Sequence, residues 1–281
     1  NDPDIDVDSQ NNVWISWDVA SLFEDEIYYT KRDSMGSCII AETNVSNNAS
    51  KSFYARIAVD CSDNVHFIWR DETPLGYGIW HAKLSNDGST IVAPHLAVSG
   101  AGGLLTSSLR PEMVLDKYQN LNVVWDERLV LSYNQINYTK LDSLGNPIIS
   151  KIRVSPEGIE SSWPGIGVDS FASNHMAYRT DTTGSTHRLT YSKIDVNGNI
   201  LVSNKILGGM GAVPVIIADQ SQNIHMVYTD PSGPGMSIKY IKLDQDGNVL
   251  IPSKILSIYE SNHYPHMAMD SLQFLHVVWD S

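Results

Sequence analysis

Six aspartates stand one to three residues behind a large aromatic residue: Asp18, Asp71, Asp126, Asp181, Asp230 and Asp280. Carboxylates recurring at about the same place in each unit could hold a cation or accept hydrogen bonds from carbohydrate hydroxyls. Aspartates in turns also accept the backbone amides of their own loop, and a residue present in every unit suits that structural duty. Near them lie Arg70, Arg128 and Arg179. A planar guanidinium fork suits a carboxylate ligand, although such arginines also pair with local acids on a solvated surface.

Histidines recur as well. His66, His175, His225 and His276 each stand three residues before the aromatic. A metal needs ligands about 2 Å from one ion, and equivalent positions in successive units are too dispersed for that, so these read as structural. Asp4, Asp6 and Asp8 alternate along one segment but lack the close loop of oxygens typical of calcium sites. No metal and no cofactor is expected.

The elements that must position these groups are set by an internal repeat. Asp8/Trp17, Asp60/Trp69, Asp116/Trp125, Asp169/Tyr178, Asp219/Tyr228 and Asp270/Trp279 are all nine residues apart, and the aspartates are separated by 52, 56, 53, 50 and 51 residues. Five residues before the aspartate stands Pro3, Pro111, Pro164, Pro214 or Pro265, with Ala55 in the second unit. After the aromatic come Lys31, Lys83, Lys140, Lys193 and Lys242, each followed five residues later by Gly36, Gly88, Gly145, Gly198 or Gly247. A period near fifty residues is that of propeller blades.

Each unit reads as four short strands. Pro164-Gly-Ile-Gly-Val-Asp169 typifies the first, with proline where a missing ladder donor is tolerated. Asn223-Ile-His-Met-Val-Tyr228 typifies the second, rich in β-formers. The third ends in aromatic-x-Lys, and turns such as Asp142-Ser-Leu-Gly-Asn146 lead to the fourth, glycine supplying positive φ. No helical period is sustained. The expected fold is an all-β propeller in one domain over 1–281. Its repeats are 3–53, 55–110, 111–163, 164–213 and 214–264, with a half repeat 265–281. A parallel β-helix also repeats, but with shorter coils. The six repeat aromatics should be largely buried. The half repeat should leave an apolar strand edge, covered by a continuation of the chain or by self-assembly.

Composition narrows the setting. Nineteen basic against 32 acidic residues give a net charge of −13 without a basic cluster, which disfavours nucleic acid and anionic membrane. No apolar run approaches the 18 or so residues needed for membrane insertion. The lack of an initiating Met and of a signal sequence suggests a mature or excised segment. Cys38 and Cys61 are expected to be free thiols, because one falls on an outer strand and the other by an inner turn. Asn44, Asn48 and Asn137 match the glycosylation pattern and favour a secreted or cell-surface protein.

The unit Pro-x-Ile-x-Val-Asp, Asn-x-His-x-x-Trp-x-Asp, Tyr-x-Lys-Leu-Asp-x-x-Gly-Asn resembles repeats of secreted bacterial and archaeal propellers of the sialidase-like superfamily. The resemblance spans nearly the whole chain. It implies the fold, on which hydrolases, lectins and adhesion or scaffold domains are built. The sialidase Asp-box, Ser-x-Asp-x-Gly-x-Thr-Trp, is only echoed by turns such as Ser85-Asn-Asp-Gly-Ser-Thr90. For a sialidase-like activity the resemblance would require an arginine cluster and a tyrosine–glutamate nucleophile, for which Tyr259, Glu260 and Tyr264 are the nearest candidates.

Loops after the second strand and between units vary in length and should emerge on one face, while the uniform glycine turns occupy the other. Variable loops on a rigid scaffold usually carry function. The expected ligand-binding residues on that face are Arg70, Asp71, Asp126, Arg128, Trp163, Arg179, Asp181 and Tyr264, facing a protein or a glycan. Two function classes follow: a non-catalytic extracellular module for binding, adhesion or surface assembly, or a carbohydrate-active enzyme. Uniform repeats favour the first, because catalysis needs a few unlike residues in one pocket.

Overall fold

The computed structural model describes residues 1–19, 25–73, 76–99, 110–128, 133–182, 186–232, 235–257 and 263–280. Every regular element among the described residues is a strand. The first sheet has the order β1 (Asp4–Val7), β2 (Val13–Val19), β3 (Glu26–Arg32), β4 (Cys38–Asn44). The second repeats it with β5 (Ser52–Val59), β6 (Val65–Thr73), β7 (Gly76–Leu84) and β8 (Thr90–Ser99). The third comprises β9 (Pro111–Leu115), β10 (Leu121–Arg128), β11 (Asn134–Leu141) and β12 (Pro147–Arg153). The fourth comprises β13 (Ser161–Val168), β14 (Asn174–Thr182), β15 (Thr186–Ile194) and β16 (Ile200–Ile206). The fifth is β17 (Ala212–Ala218), β18 (Ile224–Asp230), β19 (Ser237–Leu243) and β20 (Val249–Ile255). The sixth sheet has two strands, β21 (His263–Met269) and β22 (Leu275–Asp280). Consecutive four-stranded antiparallel meanders are the blades of a β-propeller.

The repeat aspartate explains why each blade forms. In the first turn, Asp8 Oδ1 accepts the amides of Gln10 at 3.0 Å and Asn12 at 2.8 Å. Asp60 does the same for Ser62 and Asn64, Asp116 for Tyr118 and Asn120, and Asp169 for Phe171 and Ser173. This fastens a tight turn whose fourth residue (Asn11, Asp63, Gln119, Ala172, Gln222 or Gln273) has φ between 60° and 66°. The strand-three lysine then closes on the other carboxylate oxygen, at 2.9 Å for Lys31–Asp8, 2.8 Å for Lys83–Asp60 and 2.9 Å for Lys140–Asp116. Lys31 Nζ also donates to Asn86 O at 2.9 Å in the second blade, and Lys193 Nζ to Gln245 O at 2.9 Å in the fifth. One ammonium thus ties its own inner turn to the outer turn of the next blade.

The histidines are structural, as their register implied. His175 Nε2 donates to Asp169 at 3.2 Å and its Nδ1 accepts the Tyr191 hydroxyl at 2.7 Å; His225 repeats the pattern with Asp219 at 3.0 Å and Tyr240 at 2.8 Å. In the second blade His81 stands where the others carry tyrosine, and it pairs with His66 at 3.1 Å. The turn glycines Gly36, Gly88, Gly145, Gly198 and Gly247 all have φ between 74° and 88°, as the sequence required. A different constraint acts at Gly165, where a Cβ would lie 2.0 Å from Pro214 O.

Trp69, Trp125, Tyr178 and Tyr228 are buried. Two expectations fail. Trp17 is only half-buried, and Trp14, three residues earlier, is the fully buried aromatic of the first blade. Trp279 is exposed, because its two-stranded sheet lacks the third and fourth strands that help enclose the other repeat aromatics.

The chain groups into two compact units. One comprises residues 1–123, 127–131 and 139–150, the other 124–126, 132–138 and 151–281, so the third sheet contributes to both. The first unit has a core of Trp14, Tyr29, Phe67, Trp69 and their neighbours; the second has one of Tyr191, Ile216, Met226, Tyr228 and theirs. Both cysteines are free and exposed.

Removing one member of a buried ion pair strands its partner, which costs about 3–5 kcal/mol. Asp116→Ala is therefore expected to lower unfolding stability by about that amount in urea titration, and a loss below about 1 kcal/mol would remove the clamp from its central place. A pH dependence follows as well. Burial holds the His66 imidazole down to about 4 and that of His81 to about 3, from 6.5. At Asp60 burial acts upward, but hydrogen bonds from Lys83 and Asn64 prevail and hold the carboxyl at about 2, from 3.8. The histidine contribution is complete above pH 6.5 and declines as pH falls toward 4 and 3; the Asp60 contribution declines below 3.8. Stability should thus fall from pH 6.5 downward. His81→Tyr, which installs the residue of the other blades, should flatten the limb between 6.5 and 4 in denaturant titrations across pH.

Candidate functional site

Four first strands bulge where they meet the repeat aromatic of the second. Phe53 pairs with Arg70 and Arg56 with Ile68, so Tyr54 and Ala55 together oppose Trp69. Trp163-Pro164 likewise oppose Tyr178, Val213-Pro214 oppose Tyr228, and Tyr264-Pro265 oppose Trp279. The first residue of each bulge is left-handed: Tyr54 at φ 56°, Trp163 at 57°, Val213 at 50° and Tyr264 at 44°. A residue before proline ordinarily takes extended backbone, and bulky residues at positive φ are outliers. Such strain is of order 1–3 kcal/mol per residue and gathers where a side chain is aimed for a purpose.

In the first unit the bulge builds a cage. The Arg70 guanidinium lies 4.2 Å from the Tyr77 ring centroid, 4.7 Å from Phe53 and 5.3 Å from Tyr54. Arg110 also lies over the Tyr54 ring, at 5.6 Å. Tyr77 donates its hydroxyl to Glu72 at 3.2 Å. Arg70 Nε is shielded and has no acceptor among the described residues. Burial pulls the guanidinium below its ordinary range, yet it stays charged at any physiological pH. Cation–π attraction from the three rings helps to hold it.

In the second unit two bulge aromatics meet. The rings of Trp163 and Tyr264, from the fourth and sixth blades, are 6.2 Å apart and tilted by 49°, with His263 5.9 Å from Tyr264. Trp163 donates its backbone amide to Asp126 Oδ2 at 3.3 Å. Tyr264 is 52% exposed. The pair therefore offers an aromatic surface with one side toward solvent.

The predicted carboxylates do not form an open constellation. Asp71 is buried and accepts Trp69 Nε1 at 3.1 Å, Asn48 Nδ2 at 2.6 Å and Ser52 Oγ at 3.0 Å; burial raises its carboxyl. Asp18, Asp126 and Asp230 are buried, and Asp230 pairs with Lys239. Asp181 is forked by Arg179, at 2.9 Å from Nε and 2.8 Å from NH2, and also takes His187 Nδ1 at 2.6 Å. Burial pushes its carboxyl up, but these bonds prevail and hold it low. Arg179 is thus tied locally, and Arg128 and Asp280 are exposed. Tyr259 and Glu260 lie outside the described residues. Among the described residues no group of three or more His, Cys, Asp or Glu is placed to hold a metal ion, and no helix is long and apolar enough to cross a membrane.

Of the glycosylation candidates, Asn137 is corrected: its side chain is buried within β11 and leaves no room for a glycan on the folded chain. Asn48 is half-buried and tied to Asp71, and Asn44 is half-buried while its side chain accepts the Asn47 amide at 2.8 Å. Phe53, Tyr54, Tyr77 and His187 were missed by the sequence reading. A signal existed for Tyr54: it stands before Ala55, in the register at which Trp163 and Tyr264 precede the repeat proline.

No protein-family model and no curated protein sequence matches the chain. Its fold does match solved structures. An ulvan lyase of polysaccharide lyase family 25, bound to -[GlcA(1-4)Rha3S]-, superposes with a TM-score of 0.68 at 9% identity over 94% of this chain and 71% of its own. An α-L-arabinanase of Penicillium chrysogenum complexed with arabinobiose gives 0.66 at 11% identity, covering 96% and 84%. The NanB sialidase of Streptococcus pneumoniae, as a K499G mutant, gives 0.64 at 10%, covering 99% and 64%. At such identities the likeness is one of fold, and it agrees with the propeller architecture.

Glycine adopts positive φ without strain. Tyr264→Gly should therefore leave stability unchanged or raise it by about 1 kcal/mol in chemical denaturation, since the side chain is largely solvated. A loss above about 2 kcal/mol would show that Tyr264 is a packing residue instead.

Proposed function

We propose that this propeller is a non-catalytic, secreted or cell-surface module that binds saccharides on the face where first strands begin and second strands end. The observation that carries the reading is the placement of Tyr54, Trp163 and Tyr264 in strained bulges at one repeated position. Aromatic rings with an exposed face pack against the C–H surface of a sugar, while polar groups around them bond its hydroxyls. The three neighbours described above are a polysaccharide lyase, an arabinanase and a sialidase, which supports a saccharide ligand for this scaffold. The non-catalytic part rests on the acids of this face: Asp71 and Asp181 are held by fixed partners, and Asp126 is buried. A general acid or base must instead be free to exchange a proton with substrate.

A glycan array followed by titration calorimetry tests this. Binding to at least one saccharide is expected, weakened about tenfold or more by Trp163→Ala or Tyr264→Ala, equivalent to about 1.4 kcal/mol. Melting temperatures should be nearly unchanged. Binding indifferent to both substitutions would place the ligand elsewhere. Steady release of reducing ends from a bound polysaccharide would make the protein an enzyme.

A further inference from the structure

Two residues before the strand-three lysine stand Tyr29, Tyr138, Tyr191 and Tyr240, but His81 in the second blade. This residue meets the turn glycine of the following blade. A Cβ on Gly247 would lie 2.4 Å from a ring carbon of Tyr191, whereas one on Gly145 would lie 2.4 Å from His81 Nδ1 and 2.7 Å from His95 Nε2. His95 stands opposite His81 on β8, at the register of Thr43, Lys205 and Lys254 in other blades. The rings of His81 and His95 are 5.3 Å apart and nearly perpendicular, and His66 Nδ1 meets His81 Nε2 at 3.1 Å. Three imidazoles thus run in a row from the second strand of this blade to the turn of the next.

The same junction lacks a fastening found elsewhere. Lys31 Nζ donates to Asn86 O and Lys193 Nζ to Gln245 O, both at 2.9 Å and both two residues before the turn glycine of the following blade. Lys83 pairs with Asp60 at 2.8 Å and makes no such bond to the third-blade turn among the described residues. Residues 142–146 therefore sit on His81 and His95 without an ammonium to hold them.

Neutral rings suit this packing and a cation does not. His81 is fully buried, and its Nδ1, like Nε2 of His66, has no hydrogen-bond partner among the described residues. Asp60 lies 3.6 Å from His66 Nε2 but is already closed by Lys83. Asp142, in the turn itself, favours the His81 cation, yet its carboxylate accepts the amides of Leu144 at 2.8 Å and Asn146 at 2.9 Å. Burial first, then His66, His95 and Lys83, outweigh it and hold His81 at about 3. A buried charge without a partner is expensive, so proton uptake is linked to uncovering of the ring. We propose that this junction is an acid-operated latch: protonation of the His66–His81–His95 row lifts residues 142–146 of the third blade off the second.

Amide hydrogen exchange on the 281-residue chain tests this, and the fifth blade supplies the control, because its turn within residues 243–250 covers Tyr191 instead. Protection of residues 141–148, corrected for intrinsic exchange, should fall about 25-fold between pH 7 and pH 5, the change expected for one imidazole that titrates at 6.5 once released and stays neutral while covered. Residues 243–250 should change by less than about threefold over the same step. His81→Tyr, which restores the phenol of the other blades, should remove the fall at 141–148. The comparison within the unaltered chain stands whether or not that variant folds. Unchanged protection at 141–148 would overturn the proposal. So would an equal fall in both segments, which a general loss of stability produces, or an undiminished fall in a folded His81→Tyr chain.

Discussion

A carboxylate closed by a third-strand lysine holds each four-stranded blade together, and in four of the five that carboxylate is buried. The aspartate alone would cap a turn. With the lysine it links the turn between strands one and two to strand three, so three strands share one electrostatic anchor. Desolvating two charges is expensive, and the pair persists because every remaining lone pair is filled: backbone amides, an asparagine or a histidine complete each carboxylate. The ammonium of Lys31 and of Lys193 continues into the turn of the next blade, which turns a local clamp into the means by which neighbours register.

This arrangement makes blades interchangeable in backbone while leaving side chains free to diverge. The position beneath each outer-turn glycine shows how far. Tyr191 packs under Gly247, whereas His81 packs under Gly145 together with His95. The substitution keeps a hydrogen-bonding partner for the second-strand histidine but replaces a phenol by an imidazole that must stay neutral. The second blade consequently combines two buried neutral rings, where the fourth has one in His175, with the Asp60–Lys83 pair.

Rigid blades also make the strained bulges tolerable. A left-handed tryptophan before proline survives only where surrounding structure over-determines it, and here paired strands flank the bulge on both sides. The bulges carry aromatic groups at one repeated position of the blades. In the first unit they enclose Arg70 with π-faces rather than acids; in the second they bring Trp163 against Tyr264. Local shape at the bulges is therefore set by backbone irregularity.

Sequence alone determined the repeat, its strands, its turn glycines and its aspartate–lysine–histidine registers, because each reflects a periodic and local requirement: a capped turn, a positive φ, a pleated alternation. Trp163 and Tyr264 were legible as candidates for the same reason. Tertiary structure alone decided which recurring groups were available. Asp71 and Asp126 look like Asp280 in sequence, yet burial and hydrogen bonding commit the first, burial encloses the second, and the two-stranded sheet leaves the third in solvent. Arg70 and Arg179 are alike in spacing, but one is caged by Phe53, Tyr54 and Tyr77 and the other is forked to Asp181. Periodicity fixes where a side chain begins, whereas its partners come from residues distant along the chain, whose approach depends on packing.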